Sequence, residues 1–428
     1  MKLGLHKKRI YLDYASLTPI DPSVLREMNK YSSITYANPS SWYKEGVSAK
    51  NAMSDARKSI ANLLRAHADE IFFTSGGTES NSLAIDGCAR AYLMSQAKSG
   101  WKQGDPRAHL IISVIEHSSV QETANMLAKF GVEVTRIGVD KDGIVNLDEL
   151  KKSIRPNTFL VSIMTVNNET GAVQPIREIA KTIRQARAKF VTQTQSGASS
   201  QYPLFHTDAA QGALYEDLNM EQLGVDMMTL DGSKIYGPRG VGMLYIKRNM
   251  LNGDVPMIDP IIYGGGQEKG LRSGTENLPA IMGFAKAVEM TFESRAKESV
   301  RVGELKVVFL EGLKKIRPDL KVNGVSPDAP SVASNFINSS PHILNVSIPN
   351  IDNEFLLFQL DAQGVACSTK SSCLRDEEES YVLKSMGVES KSSLRFSFGR
   401  WTKKGDIKRA LKKIGPLLSS VLDTQLTN

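Results

Sequence analysis

Asp208 and Lys234 stand 26 residues apart, each at the end of a short apolar run, PLFHTDAAQ and VDMMTLDGSK. Lys234 continues into the turn-rich SKIYGPRGVG, which places its amine at a strand end rather than on a solvated helix. A lysine that forms a Schiff base and an acid that keeps a pyridinium nitrogen protonated are the two groups pyridoxal phosphate (PLP) chemistry requires. An isolated strand-end Asp and Lys are otherwise ordinary surface residues. TSGGTESN, residues 74–81, runs from a strand through a glycine turn into a helix starting at Thr78 or just after it. The free N–H groups and dipole of a helix start favour an anion such as phosphate. Gly-Gly-Thr there serves equally well as a turn and N-cap, and without a following Gly-Lys-Ser/Thr it is not a Walker A loop.

These residues need elements to position them. Between about 70 and 250, the runs EIFFTSGG, HLIISVIEH, TFLVSIMTVNN, PLFHTDAAQ and VDMMTLDGSK alternate with helical patterns such as SSVQETANMLAKF and IREIAKTIRQARAKF. Near-continuous apolar runs indicate parallel strands buried on both faces, so the pattern predicts an α/β sheet with helices on either side. Each run ends in polar residues: 74–78, His117, Asn167 with Asn168, Asp208 with Gln211, then Ser233 and Lys234. Ligands of open α/β sheets bind outside the strands' carboxyl ends, so five such ends would converge on one site. Beyond 265 the character changes. YGGGQEKGLRSGTENLP precedes a helical pattern over about 279–316, followed by HILNVSI, FLLFQLDAQG, SSLRFSFG and a closing helix. The division read from this is a large domain over 15–265 and a smaller α+β domain from 1–14 and 266–428. The polar stretches 193–201 and 326–340 read as surface loops or insertions.

Composition is that of a globular chain, with 41% hydrophobic and 23% charged residues. Neither a signal-peptide core nor roughly 18 uninterrupted apolar residues occurs, which predicts a cytoplasmic, non-membrane protein. The net charge of +7 is spread among interleaved acidic residues with no aromatic and basic platform, so no nucleic-acid binding is expected. Three cysteines are too few for a disulfide framework in 428 residues and suit a reducing compartment. The six histidines lack metal-ligand spacing. Cys88, inside the helical SNSLAIDGCARAYLM, reads as a small buried hydrophobe.

At this point the chain resembles the cysteine desulfurases of the NifS/IscS group, in the class V aminotransferase branch of fold-type I PLP enzymes. The resemblance runs from about 11 to 415 through NPSS, FTSGGTESN, VNNETGAVQPI, HTDAAQ, KIYGPRGVG, GGGQEKGLRSGTENLP, SYVLKSMG and LRFSFGRWT. It implies that Lys234 carries the cofactor, Asp208 pairs the pyridinium, and His117 stacks on the ring and moves protons. By the same resemblance Asn168 and Gln211 hold the cofactor's O3′, and Gly77 and Thr78 the phosphate. Thr275 would add a phosphate contact across a homodimer, while Asn38, Asn168 and Arg395 would bind the substrate. Cys373, in CSTKSSCLRDEEESYVLKSMG, matches the nucleophile on a mobile loop, and Cys367 reads as structural. Lys370 would favour its thiolate and the acidic 376–379 would oppose it.

The implied reaction converts L-cysteine to L-alanine. Lys234 removes the Cα proton, Cys373 takes the sulfur as a persulfide, and an acceptor protein receives it for iron–sulfur clusters or tRNA thiolation. A selenocysteine lyase or aminotransferase is the nearest alternative, and a catalytically silent binding platform the next. The sequence departs from the family where His usually precedes the lysine, with Ser two residues earlier; here these are Ser233 and Asp231. Tyr43 likewise replaces a histidine after NPSS. Asp231 is expected to turn away from the phosphate or to pair with Arg239 or Arg272, and Ser233 to donate one hydrogen bond, leaving a functional but weaker cup.

Overall fold

A computed structural model describes residues 9–98, 108–193, 201–251, 256–325, 338–369 and 379–426. Its central sheet contains β2 (Ile71–Thr74), β3 (His109–Ser113), β4 (Glu133–Ile137), β5 (Thr158–Ser162), β6 (Leu204–Asp208), β7 (Met227–Asp231) and β8 (Gly242–Ile246). Their order is β2-β8-β7-β6-β5-β3-β4. Pairing is parallel from β7 through to β4, while β8 runs antiparallel to both neighbours, β7 and β2. β2 therefore points the same way as β3 to β7. The five apolar runs are β2, β3, β5, β6 and β7. β8 is antiparallel, so the polar residues that follow it, Lys247 and Arg248, come at the opposite edge of the sheet; β4 is an edge strand with mixed exposure, and its EVTRI is correspondingly less apolar.

Alternation sends strand side chains to two cores. Ile71, Phe73, Ile111 and Val161 join one cluster, and Phe72, Leu110, Ile112 and Leu160 the other, so both faces are covered. The helical pattern over about 279–316 is a single helix, Leu278–Ile316, started by the Asn277 side chain, which accepts from Ala280 N at 3.2 Å, with Pro279 in its first turn. Its first half packs in the large-sheet core through Ala280, Ile281, Phe284 and Val288. Its second half enters a third cluster through Val302, Leu305, Phe309 and Leu313.

That third core lies against an antiparallel sheet of β9 (Lys321–Asn323), β10 (Ile343–Ser347) and β12 (Ser393–Ser397). β1 (Ile10–Tyr11) pairs in parallel with β11 (Val365–Ala366), so the amino-terminal segment is tied to this part of the chain before it crosses to the large sheet. There Thr18 N donates to Ser233 O at 3.0 Å. No helix among the described residues is long and apolar enough to cross a membrane.

The turn after β3 rests on Glu116, which is fully buried. Its Oε1 accepts from the Ser113 hydroxyl and, at 3.0 Å, from Met164 N; its Oε2 has no partner among the described residues. Burial pushes this carboxyl up to about 8, and the nearby Asp208 charge acts in the same direction, against the two hydrogen bonds. A carboxyl whose folded pKa is raised stabilises fully below its unfolded value. That contribution is lost as pH rises through the folded value, because the unfolded chain releases the proton first. Stability should therefore fall between about pH 4.5 and 8 by up to about 1.4 kcal/mol per pH unit from this one site. Glu116→Gln keeps an acceptor for both donors and has no proton to lose. Urea unfolding at pH 6 and pH 8 should show a clear decline for the parent and a smaller one for the variant; equal declines would remove Glu116 as the source.

Candidate active site

The shared direction of β2, β3, β5, β6 and β7 opens their carboxyl ends into a cavity of about 200 Å³. It is lined by Gly77, Thr78, His117, Asn168, Asp208, Gln211, Asp231, Lys234 and Arg395, together with Ala15, Ser16, Asn81, Ser119, Met164, Val166 and Ala210. Nine of the residues singled out in the sequence are thus brought together by five strand ends and β12.

Lys234 sits in a single turn after β7, and its Nζ donates to Ser16 O at 2.5 Å, with Ala15 O at 3.4 Å. Asp208 ends β6. Its Oδ1 accepts from Ala210 N at 2.9 Å and its Oδ2 from Asn81 Nδ2 at 2.7 Å, which fixes the carboxylate plane. His117 caps the helix Ser118–Lys129: Nδ1 accepts from Ser119 N at 3.2 Å and lies 2.8 Å from Ser119 Oγ. A ring nitrogen that accepts from a backbone N–H carries no proton, so in the neutral ring the proton is on Nε2.

Arg395, on β12, is 1% exposed. Its Nη2 donates to Asp13 Oδ1 (2.9 Å) and Ser16 Oγ (2.8 Å), and its Nη1 to Asn168 O (2.8 Å). A buried guanidinium needs such a partner, because an unpaired charge in the interior is strongly destabilising. Its Nε is buried without a hydrogen-bond partner among the described residues.

The phosphate side differs from expectation. The helix begins at Gly77, one residue before Thr78, after Gly76 at φ +148°. Gly242 faces this turn; a Cβ there would lie 2.8 Å from Gly76 Cα and 2.6 Å from Leu230 O, so the close approach needs a glycine. Asp231 does not turn away and does not pair with Arg272. Its Oδ2 accepts from Gly77 N at 3.1 Å and its Oδ1 from Ser233 N at 2.8 Å. Arg272 instead forks onto Glu79, at 2.9 and 3.3 Å. The reason is proximity: the carboxylate meets the helix's first N–H group, where a negative charge is favoured.

Asn38 and Thr275 are both exposed and lie outside the cavity lining; Asn38 Oδ1 accepts from Ser40 N at 2.9 Å. Ser233 is outside the lining too, its backbone N–H serving Asp231. Cys373 lies outside the described residues, as does Lys370. Cys88 is fully buried and burial pushes its thiol far up; desolvation likewise raises Cys367. Sequence reading missed Asn81, Asp13 and Ser16. Asn81 had a signal, being one helical turn beyond Thr78 in the same motif. Asp13 and Ser16 had none, since their partner Arg395 is some 380 residues away.

A mostly parallel sheet gathering a lysine, a fixed carboxylate and a helix amino terminus at one edge is the architecture of fold-type I PLP enzymes. The family model for "Aminotransferase class-V" matches residues 10–410. The "Cysteine desulfurase IscS" of Dictyoglomus turgidum is 37% identical, over 95% of this chain and 93% of its own length. A solved "NIFS-LIKE PROTEIN" superposes with a TM-score of 0.80 at 31% identity, covering 96% of this chain and all of its own. The structure of "SspA in complex with cysteine" gives 0.72 at 32% identity, covering 91% of this chain and 99% of the other. The chain belongs to the class V aminotransferase family, and within it to the cysteine desulfurases of the NifS/IscS group. Members of that family are PLP enzymes.

The ring end of the cavity fits PLP, with an amine, a fixed carboxylate and an imidazole in place. The phosphate end holds a second anion. Two unit charges 4 Å apart interact by about 1 kcal/mol in water and about 4 kcal/mol near a protein surface. Asp231→Ser combined with Ser233→His should therefore tighten PLP binding by roughly one to three powers of ten. Cofactor retention on dialysis, measured side by side, reads this directly; equal or poorer retention in the variant would show that the cup accommodates both anions.

Proposed function

We propose that this chain is an L-cysteine desulfurase that holds PLP on Lys234 and passes sulfur through Cys373 to an acceptor protein. The observation that carries the reading is the convergence of Lys234, Asp208, His117 and Arg395 on one cavity in a chain of this family. In this reading Lys234 anchors the cofactor, Asp208 faces its pyridinium nitrogen, His117 its ring, and Asn168 and Gln211 its O3′. The helix start at Gly77 and Thr78 would hold its phosphate beside Asp231, while Ser233 serves that carboxylate from outside the lining. When bound, the cofactor supplies an electron sink for the substrate's Cα.

Arg395 receives the substrate carboxylate, for which its planar fork is suited. Lys234 takes the Cα proton, its amine already held between two carbonyls. His117, with its proton on Nε2, can donate and recover one at the cavity wall. The Cys373 thiolate bonds to the substrate sulfur as the substrate's Cβ–S bond breaks; the electron pair stays with carbon, which takes up a proton to give alanine, and Cys373 is left as the persulfide. Both flanks of the segment carrying Cys373 are tied to the cavity wall: Ser368 pairs with Arg395, and the Ser380 hydroxyl donates to Glu169 Oε2 at 2.6 Å, next to Asn168. The acceptor in this reading is an iron–sulfur scaffold or a tRNA-thiolation carrier, and the compartment the reducing cytoplasm.

Borohydride reduction of the PLP-loaded protein should fix the cofactor to Lys234, and incubation with cysteine should add one sulfur to Cys373, both read by peptide mass spectrometry. Cys373→Ser should keep the cofactor's visible band and lose the added sulfur. Full activity in that variant would favour the selenocysteine lyase or aminotransferase alternative, and no cofactor band in the parent the silent binding platform.

The active unit in this reading is a homodimer, with Thr275 serving the partner's phosphate cup and Asn38 completing a substrate site. Aromatic exposure supports it. Tyr36, Trp42, Tyr43 and Tyr263 are 75%, 97%, 57% and 69% exposed, and nearby Pro39 and Ser40, with 265–269 and Glu276, line one depression. Exposed apolar surface of this kind marks a contact. Light scattering should give about twice the chain mass of 46.9 kDa; an active monomer at assay concentration would remove the shared site.

A further inference from the structure

Gln211 reaches the cavity from the turn after β6, and an amide there can present either its carbonyl or its N–H group. Three contacts decide which. Its Nε2 donates one hydrogen to Ala15 O at 2.8 Å. Its Oε1 lies 3.3 Å from Nε2 of His342. His342, immediately before β10 of the smaller sheet, is fully buried; its ring tilts against Tyr215 at 4.8 Å, and its Nδ1 is 2.6 Å from Ser340 Oγ. Behind Ser340, the buried Lys306 Nζ donates to the Ser340 carbonyl and to Ser339 Oγ, each at 2.9 Å.

Burial, more than the neighbouring charges, keeps His342 neutral. It lowers the ring's pKa, with the Lys306 and Arg395 cations acting in the same direction, to about 3, so the ring is neutral with a single N–H. A carbonyl oxygen can only accept, which puts that proton on Nε2, and the Ser340 hydroxyl donates to Nδ1. Flipping the Gln211 amide would leave Ala15 O facing a carbonyl, and would require His342 to move its proton to Nδ1 and the Ser340 hydroxyl to turn from donor to acceptor. One amide N–H is used by Ala15, and the second is what remains for the cavity.

We infer that His342 is a positioning residue: by donating to the Gln211 carbonyl it locks the amide so that a hydrogen-bond donor, not an acceptor, faces a cofactor oxygen. This rests on the PLP reading of the cavity and assigns that reading a residue outside the site. The oxygen concerned is the ring's O3′, a phenolate beside the Lys234 linkage. A donor on it draws charge away from the linkage nitrogen's proton. An acceptor in the same place strengthens the hold on that proton, and the visible band then titrates at higher pH.

The test is the pH midpoint of the visible band of the PLP-loaded protein, a quantity that a merely structural histidine would not move. His342→Leu should raise the midpoint by about one pH unit, the size of one hydrogen bond to a charged group. His342→Gln, which restores a donor at similar reach, should return it toward the parent value. In a Gln211→Leu background His342→Leu should add no further shift, since the two residues act through one contact. Gln211→Glu, which can offer only an acceptor, should raise the midpoint with His342 intact, and this arm stands even if His342→Leu does not fold. An unchanged midpoint in Gln211→Glu or in a folded His342→Leu, or a His342 effect that persists without Gln211, overturns the inference. A parent that forms no visible band with PLP overturns the cofactor reading itself and this inference with it.

Discussion

Because β2, β3, β5, β6 and β7 run in one direction, their carboxyl ends share an edge, and each polar loop that follows opens into the same space. Short loops keep the placement tight: Gln211 and Lys234 each come three residues after their strands end, and His117 four. The antiparallel β8 adds a second consequence. Gly242 is in register with both Thr74 and Asp231, so one strand separates the start of the phosphate-facing helix from the end of β7. With no side chain at Gly242 the gap closes, and the Asp231 carboxylate reaches Gly77 N.

The rest of the site is supplied across the two sheets by polar groups that would be costly to bury singly. Arg395 comes from β12 and is neutralised by Asp13, which the amino-terminal segment brings over after pairing with β11. The same segment offers Ser16 and Ala15 carbonyls to Lys234 and to Gln211. Lys306, Ser340 and His342 reach the cavity from the other side through hydrogen bonds. The cavity is therefore held by both sheets at once, and its polar wall is ordered before any ligand contributes.

Local pattern carried the architecture. Near-continuous apolar runs identified the five strands whose ends matter, because a strand buried on both faces has to be apolar throughout. The helix around 279–316 was visible in its periodicity to within a residue of its start, and the motif series identified the family through side chains that the cavity then brought together. β4 escaped because an edge strand need not be apolar, and β8 because it runs against its neighbours, so the polar residues after it do not join the shared edge.

What only the tertiary structure decided are pairings between residues far apart in the chain. Asp231 was legible as a departure, but whether it faced the cup depended on the register of β8, which no local pattern encodes. Asp13 is an ordinary aspartate until Arg395 is packed against it, and His342 an ordinary histidine until Tyr215 and Gln211 enclose it. The sequence by itself determined the elements, the family and the set of chemical groups, since these follow from periodicity and residue type. The tertiary structure decided which hydrogen bonds those groups make, because donor and acceptor meet only after packing has brought distant segments within about 3 Å.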